Sequence, residues 1–277
     1  MAFKKSQAIW RDIVRKLLVE IAYQGTRYHG YQFQQNALSV AEVVQDAIEK
    51  VFKKREDISG CSRTDTGVHA NQYFFHMTTL LNIAPNAVVI ALNNYLPGDI
   101  VVRSCREVPL DFHARYHVCW KEYLYKIYNA TLKNPFCENQ ALLVKDPLDA
   151  DFLDRCFREF IGTHDFAGFR NTGAKIVDDT VRTIYDCSVR RTGDFIDIVV
   201  TGDGFLYNMV RIMVGTLLGS PKKKIKEGDI AKILATKDRL HAGATAPAAG
   251  LYLNRVSYEE YPKATHSSSL VFRADRL

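Results

Sequence analysis

Two hydrophobic periods alternate along this chain. Lys16–Tyr23 ("KLLVEIAY") packs apolar and β-branched residues into a short run, which predicts a strand, and "QGTRYHG" after it predicts a polar turn. Ser39–Phe52 places Val40, Val43, Val44, Ala47, Ile48 and Val51 at helical spacing. Ser39 stands at the N-cap and Glu42 three residues on, the pattern of a capping box. "NQYFFHMTT" predicts a strand, "APNAVVIALNNYLP" a short helix ending near Pro97, and "DIVVRSCREVP" another strand. The first half therefore reads β-α-β-α-β.

The second half repeats that logic loosely. "WKEYLYKIYNA" alternates Tyr123, Tyr125 and Ile127 as a strand does, and "DADFLDRCFREFIG" has helical spacing. "RTIYDCSVRRTGDFIDIVVTG" predicts two strands around a Thr-Gly-Asp turn. "GFLYNMVRIMVGTLLG" predicts a long apolar helix, "DIAKILATKD" a short amphipathic one, and "AGLYLNRVSY" a closing strand. The expected fold class is α+β, with two α/β halves at 16–110 and 111–260. The changeover falls near Leu110–Tyr116, and 261–277 forms a polar, peripheral tail.

Composition narrows the partners. The 277 residues are 47% hydrophobic and 25% charged, as in an ordinary globular protein, and the formal net charge is +6. That excess suits a polyanionic partner without demanding one. Six cysteines are scattered with no CxxC pair and no metal-ligand spacing, so neither a disulfide framework nor a bound metal is expected. Charges interrupt every apolar run of the N-terminal twenty residues, which removes a signal-peptide core. No stretch reaches the roughly 18 apolar residues of a membrane span. The expected location is the cytoplasm.

The chemistry centres on two anomalies. On a helical wheel the segment from Gly204 to Gly219 is apolar nearly all round, apart from a stripe of Gly204, Asn208, Arg211, Gly215 and Gly219. A buried Arg211 needs a framework carboxylate or an anionic ligand, and the glycines allow another backbone or a substrate to come close. The second anomaly is Asp65 in "GCSRTDTGVHA". Taken alone, Thr-Asp-Thr-Gly is a turn. Paired with Arg211, Asp65 would stay ionised and could act as a nucleophile. The chain offers no GxSxG, P-loop, HExxH or GxGxxG alternative. A glycoside hydrolase would need a second acid that does not stand out.

Cations and aromatics interleave twice. "HARYHVCWKEYLYK" carries His113, Arg115 and Lys121 among Tyr116, Trp120, Tyr123 and Tyr125, and "TRYHGYQFQQN" carries Arg27 among Tyr28, Tyr31 and Phe33. Either stretch serves equally as the lining of a strand or as a surface for phosphates and unstacked bases of looped RNA. The lysines of "SPKKKIKEGD" read as a solvated loop.

These stretches together resemble the bacterial tRNA pseudouridine synthase A family. "GCSRTDTGVHA" matches its active-site loop, G-x-x-R-T-D-x-G-V-H-A, and "YQGTRYHGYQFQ" is similar to its opening segment. "FHARY", "HDFAGFR", "VRTIYD", "FLYNMVRIMVGTLL", "KDRLHAGATAPAAGLYL" and "VSY" follow in the family's order, so the resemblance spans Lys16 to Tyr258. The helix after "SV" begins "AEV" where the family often has glutamine, and the tail past Tyr258 has no family pattern.

The resemblance implies two halves of RRM- or ferredoxin-like character. They would form one continuous, mostly antiparallel sheet flanked by helices, with a central basic cleft. It implies a homodimer that holds tRNA and converts uridine to pseudouridine in the anticodon stem-loop, at positions 38 to 40, without metal or organic cofactor. Asp65 would be the nucleophile, attacking C6 of the base or C1′ of the sugar, on a nucleotide flipped from the stack. Arg63 would fill the vacated space. Tyr123 would stack on the uracil and serve as a base toward C5, Arg211 would pair with Asp65, and Leu251 would pack on the base's other face. Arg27, His113, Arg115 and Lys121 would contact tRNA. A non-catalytic RNA-binding or tRNA-folding module is the alternative reading.

Overall fold

The structure is a computed structural model, described here for residues 14–171, 173, 179–219 and 225–262. The N-terminal stretch before residue 14, the loop lysines at 222–224 and the tail from 263 onward, all considered above, lie outside the described residues.

The first half runs β1 (Arg15–Tyr23), α1 (Val40–Phe52), β2 (Ile58–Gly60), β3 (His69–Thr79), α2 (Pro85–Asn93) and β4 (Ile100–Val108). The second runs β5 (Trp120–Asn129), β6 (Leu142–Val144), α3 (Ala150–Phe157), β7 (Gly162–Asp165), β8 (Val181–Thr192), β9 (Phe195–Gly202), α4 (Met209–Leu218), α5 (Asp229–Thr236) and β10 (Leu251–Ser257). The helix caps act where expected: Ser39 Oγ accepts from the Glu42 amide at 3.2 Å, and Pro85 opens α2.

All ten strands join one open sheet in the order β4-β1-β3-β10-β5-β9-β8-β7, with β2 also beside β3 and β6 beside β5. In the first half β1-α1-β2-β3-α2-β4 are laid out as β4-β1-β3-β2. In the second, β5-α3-β8-β9-α4-β10 are laid out as β10-β5-β9-β8. The two halves thus share one βαββαβ wiring, the ferredoxin-like arrangement. One large apolar core runs through both, from Leu17 and Tyr73 to Met213 and Leu253, with a small second cluster at Leu18, Val108 and Ala114.

The seam between the halves positions the site. The final strand β10 inserts at the centre, antiparallel to β5 and parallel to β3 through Tyr252–His69 and Leu253–Ala70. Because β3 and β10 run the same way, the segments feeding them emerge side by side. One is the Asp65 loop and the other is the stretch 242–250.

The structure corrects one expectation about the apolar helix. It begins at Met209, because Asn208 takes a left-handed conformation (φ 59°) and breaks the helical path. Gly204 and Gly219 therefore lie off the helix, and the polar stripe shrinks to Arg211 and Gly215 below the Asn208 cap. Likewise α3 ends at Phe157 and continues as a 3-10 turn over Arg158–Phe160. The three-residue strands β2 and β6 and the four-residue β7 carry too few residues to show a period.

Candidate active site

The Asp65 loop is held from three sides. Its turn closes through the Val68 amide, which donates to the Asp65 carbonyl at 3.1 Å, and Gly67 supplies the positive φ of 77°. The β1–α1 connection cradles it: Tyr23 Oη and Thr64 Oγ1 lie 2.8 Å apart, and the Gly67 amide donates to the Tyr28 carbonyl at 3.1 Å. Tyr28 and Tyr31, offered by the sequence as possible base-stacking aromatics, are buried in the core behind this loop. At the loop's exit His69 accepts from the Gly25 amide at Nδ1 (3.0 Å) and donates from Nε2 to the Ala249 carbonyl (3.1 Å). Burial holds its pKa below the ordinary imidazole value, consistent with this neutral tautomer.

Across the seam, α4 presents Arg211. Its Nε donates to the Ala246 carbonyl at 2.7 Å, and its Nη1 donates to Asn208 Oδ1 at 3.0 Å and to Asp65 Oδ2 at 3.4 Å. Both side chains are about one-fifth exposed, at 18% and 21%. Gly215 explains how the 242–250 segment reaches Arg211. A Cβ there would lie 1.7 Å from the Ala244 carbonyl oxygen, so only glycine lets that backbone run along the helix. The carboxylate feels opposing influences. Burial raises the pKa of Asp65, the Arg211 charge and hydrogen bond lower it, and the balance stays above the ordinary aspartate value.

Asp65 and Arg211 line a cavity of about 660 Å³. It gathers Arg63, Arg115, Lys121, Tyr123 and Leu251 with them. Arg27 and His113 are not among its lining residues. Arg27 is exposed beside Asp99, and His113 accepts from the Arg115 and Tyr116 amides through Nδ1. Two further cations complete the lining, Arg170 and Arg182. Arg170 Nη1 is buried without a hydrogen-bond partner among the described residues. Both lie in stretches that carry the family resemblance, Arg170 in "HDFAGFR" and Arg182 in "VRTIYD", but neither stands out by residue type alone. The same holds for Phe205, which meets Tyr123 edge to face at 5.1 Å.

Tyr123, at 8% exposure, is the buried aromatic wall of the cavity. Its phenol is pushed well above the ordinary tyrosine value by burial, so its resting form is protonated. Its Oη lies 3.4 Å from Ser62 Oγ, which accepts from Lys121 Nζ at 3.2 Å. Burial lowers the pKa of Lys121, with a further lowering contribution from Arg115.

Among the described lining residues, six basic side chains face one carboxylate. Such a cleft admits a polyanion and sets a single, partly desolvated acid against it. The fold and site thus define a nucleic-acid-directed protein with a candidate nucleophile at the junction of two ferredoxin-like halves.

Comparison with known proteins carries this further. The family model described as tRNA pseudouridine synthase matches residues 20–117 and 156–259. The tRNA pseudouridine synthase A of Staphylococcus aureus (strain MRSA252) is 42% identical over 245 residues, 88% of this chain and 92% of that protein. The tRNA pseudouridine synthase A of Thermoanaerobacter sp. (strain X514) is also 42% identical, over 88% of this chain and all of its own length. This chain belongs to the tRNA pseudouridine synthase A family, a family of isomerases. Among the described residues no helix is long and apolar enough to cross a membrane.

Proposed function

We propose that this protein isomerises uridine to pseudouridine in the anticodon stem-loop of tRNA, at positions 38 to 40, with Asp65 as the nucleophile. The observation that carries the assignment is the isolation of Asp65: it is the one acid among the described lining residues of a cation-rich cavity, with Arg211 at 3.4 Å. A carboxylate facing phosphates weakens simple binding and is useful only for chemistry.

The target nucleotide enters flipped from its stack. Arg63, exposed at the cavity rim, takes the space it leaves. Tyr123 provides a flat face for the uracil, and Leu251, 5% exposed, packs the opposite side. Asp65 attacks C6 or C1′, the bond between N1 and C1′ breaks, the ring turns, and C5 joins C1′. Release of Asp65 as the carboxylate, loss of the C5 proton and gain of a proton at N1 then give pseudouridine, and neither point of attack calls for a metal or organic cofactor. Arg115, Arg170 and Arg182 hold the flanking phosphates within the cavity, while Arg27 and the loop capped by His113 meet the tRNA outside it. The protein works in the cytoplasm as a homodimer that holds tRNA across both subunits.

The test is mass-spectrometric mapping of pseudouridine in unmodified tRNA transcripts incubated with the protein and no added cofactor. Pseudouridine confined to the anticodon arm is expected. Absence of product, or product elsewhere in the tRNA, overturns the assignment.

A further inference from the structure

The wall of the cavity behind Tyr123 contains two polar side chains that the reaction above leaves unused. Ser62 immediately precedes Arg63 on the Asp65 loop, and Lys121 lies two residues before Tyr123 on β5. Ser62 is 9% exposed and Tyr123 8%. The spacing is that of a continuous chain: Tyr123 Oη to Ser62 Oγ at 3.4 Å, then Ser62 Oγ to Lys121 Nζ at 3.2 Å. The Ser62 carbonyl accepts from Tyr73 Oη, and Tyr73 is fully buried, which anchors Ser62 at this point. Cys61 and Arg115 are the charged or titratable neighbours that act on Lys121, and no acid is among them. Lys121 therefore bonds to a serine rather than to a carboxylate, so no acid among these neighbours holds it in its charged form.

We propose that Lys121 and Ser62 form a proton relay that draws the hydroxyl proton from Tyr123 as Tyr123 takes the hydrogen from C5 of the rearranged uracil. This inference rests on the functional assignment above and deepens it. A protonated phenol cannot accept a proton unless it passes its own onward, and the relay supplies that path. In the step, the C5–H bond breaks and its electron pair restores the C5=C6 double bond. If Asp65 is bonded to C6, that bond breaks and its pair returns to the carboxylate, N1 having taken a proton from water when its bond to C1′ broke; if attack was at C1′, the displaced ring pair goes to N1, which then takes a proton from water. The C5 proton moves to Tyr123 Oη, the phenolic proton to Ser62 Oγ, and the serine proton to Lys121 Nζ, leaving an ammonium that discharges to solvent through the open cavity. The step takes Lys121 as its neutral amine, the form towards which desolvation shifts it and which no carboxylate among its charged neighbours opposes.

Lys121 and Ser62 act through Tyr123, so both are positioning residues rather than catalytic ones. The test uses full-length protein and a tRNA transcript made with 5-deuterouridine, read as single-turnover rates against the protiated transcript, with tRNA affinity measured alongside. Ser62→Ala removes one hydroxyl and keeps the fold within reach. It should bind tRNA as wild type does and lose about 100-fold in rate, the scale of general acid–base catalysis. Its C5-deuterium isotope effect should exceed that of wild type, because proton removal has become slow.

Ser62→Thr, which keeps a hydroxyl, should recover most of the rate. Lys121→Arg separates a relay from a phosphate contact. Arginine can still meet a phosphate but cannot receive a proton, so its isotope effect should rise as in Ser62→Ala. Wild-type rate and isotope effect in Ser62→Ala, or full activity in Lys121→Arg, overturn the relay while wild-type turnover leaves the functional assignment standing. If wild type makes no pseudouridine, the assignment and the relay fall together.

Discussion

Asp65 stands at a compromise between reactivity and stability. Burial raises its folded-state pKa above that of the unfolded chain, and Arg211 only partly reverses this. Folding is therefore favoured by its protonation at low pH, and that contribution is lost as the pH climbs through the folded-state value. At neutral pH the ionised carboxylate costs stability, so Asp65→Asn should melt at or above the wild-type temperature at pH 7. The proposed reaction needs the ionised form, which should place the acid limb of the pH–rate profile above that of an ordinary aspartate. Arg211→Leu removes the one nearby charge that lowers this pKa. It should move the acid limb to higher pH, reduce the rate, and destabilise the fold by about 2 kcal/mol, less than a fully buried pair because both side chains keep about a fifth of their exposure. A pH–rate profile and a thermal melt check both halves; an unshifted limb would mean that Arg211 does not govern Asp65.

At this scale the site was partly legible in the sequence. Asp65 and Arg211 are each hard to explain alone and complement one another, so a pairing over a long stretch of chain could be anticipated and is found at 3.4 Å. Arg170 and Arg182 lie in stretches shared with the family, but residue type alone gives them no role, because an arginine in a loop or at a strand end has an ordinary surface explanation. Ser62 gives no signal of its own, because the groups it bridges, Tyr123 and Lys121, are distant in sequence. The aromatics of "TRYHGYQFQQN" gave the opposite lesson, since Tyr28 and Tyr31 support the Asp65 loop from inside the core.

Among the elements, period predicted the longer ones well. The apolar spacing of α1 and the density of β-branched and aromatic residues in β1, β3, β8 and β9 leave little ambiguity. What period misses is decided elsewhere. The strands β2, β6 and β7 exist because a partner strand offers an open edge, and α4 starts late because Asn208 turns left-handed to hold Arg211. The close approach of α4 to the 242–250 segment yields a prediction whose sign separates packing from propensity. In an isolated helix, Gly215→Ala would gain about 1 kcal/mol. Here the new Cβ meets the Ala244 backbone at 1.7 Å, close to the Ala246 carbonyl that fixes Arg211. Gly215→Ala should therefore lower stability by about 1–3 kcal/mol, as overpacking does, and lower the rate with it. Denaturant unfolding alongside a turnover assay checks this; a stabilised, fully active variant would show that the segment is free to move.

For the whole molecule, two halves with the same βαββαβ wiring share one sheet, and the last strand is drawn into its centre. That single insertion brings a loop from the first half and a helix from the second to one cavity, so neither half holds the site alone. The alternation of strands and helices made the two halves readable, but the placement of β10 beside β3 depends on non-local pairing that no local pattern encodes. In the proposed reaction the cations around the cavity attract RNA, and Asp65 turns that attraction into chemistry. The most direct measurement compares wild type with Asp65→Asn on a saturating tRNA transcript, reading single-turnover pseudouridine formation and tRNA affinity together. The account predicts that Asp65→Asn binds tRNA about as tightly as wild type and forms no pseudouridine above background. Substantial turnover by Asp65→Asn would contradict it.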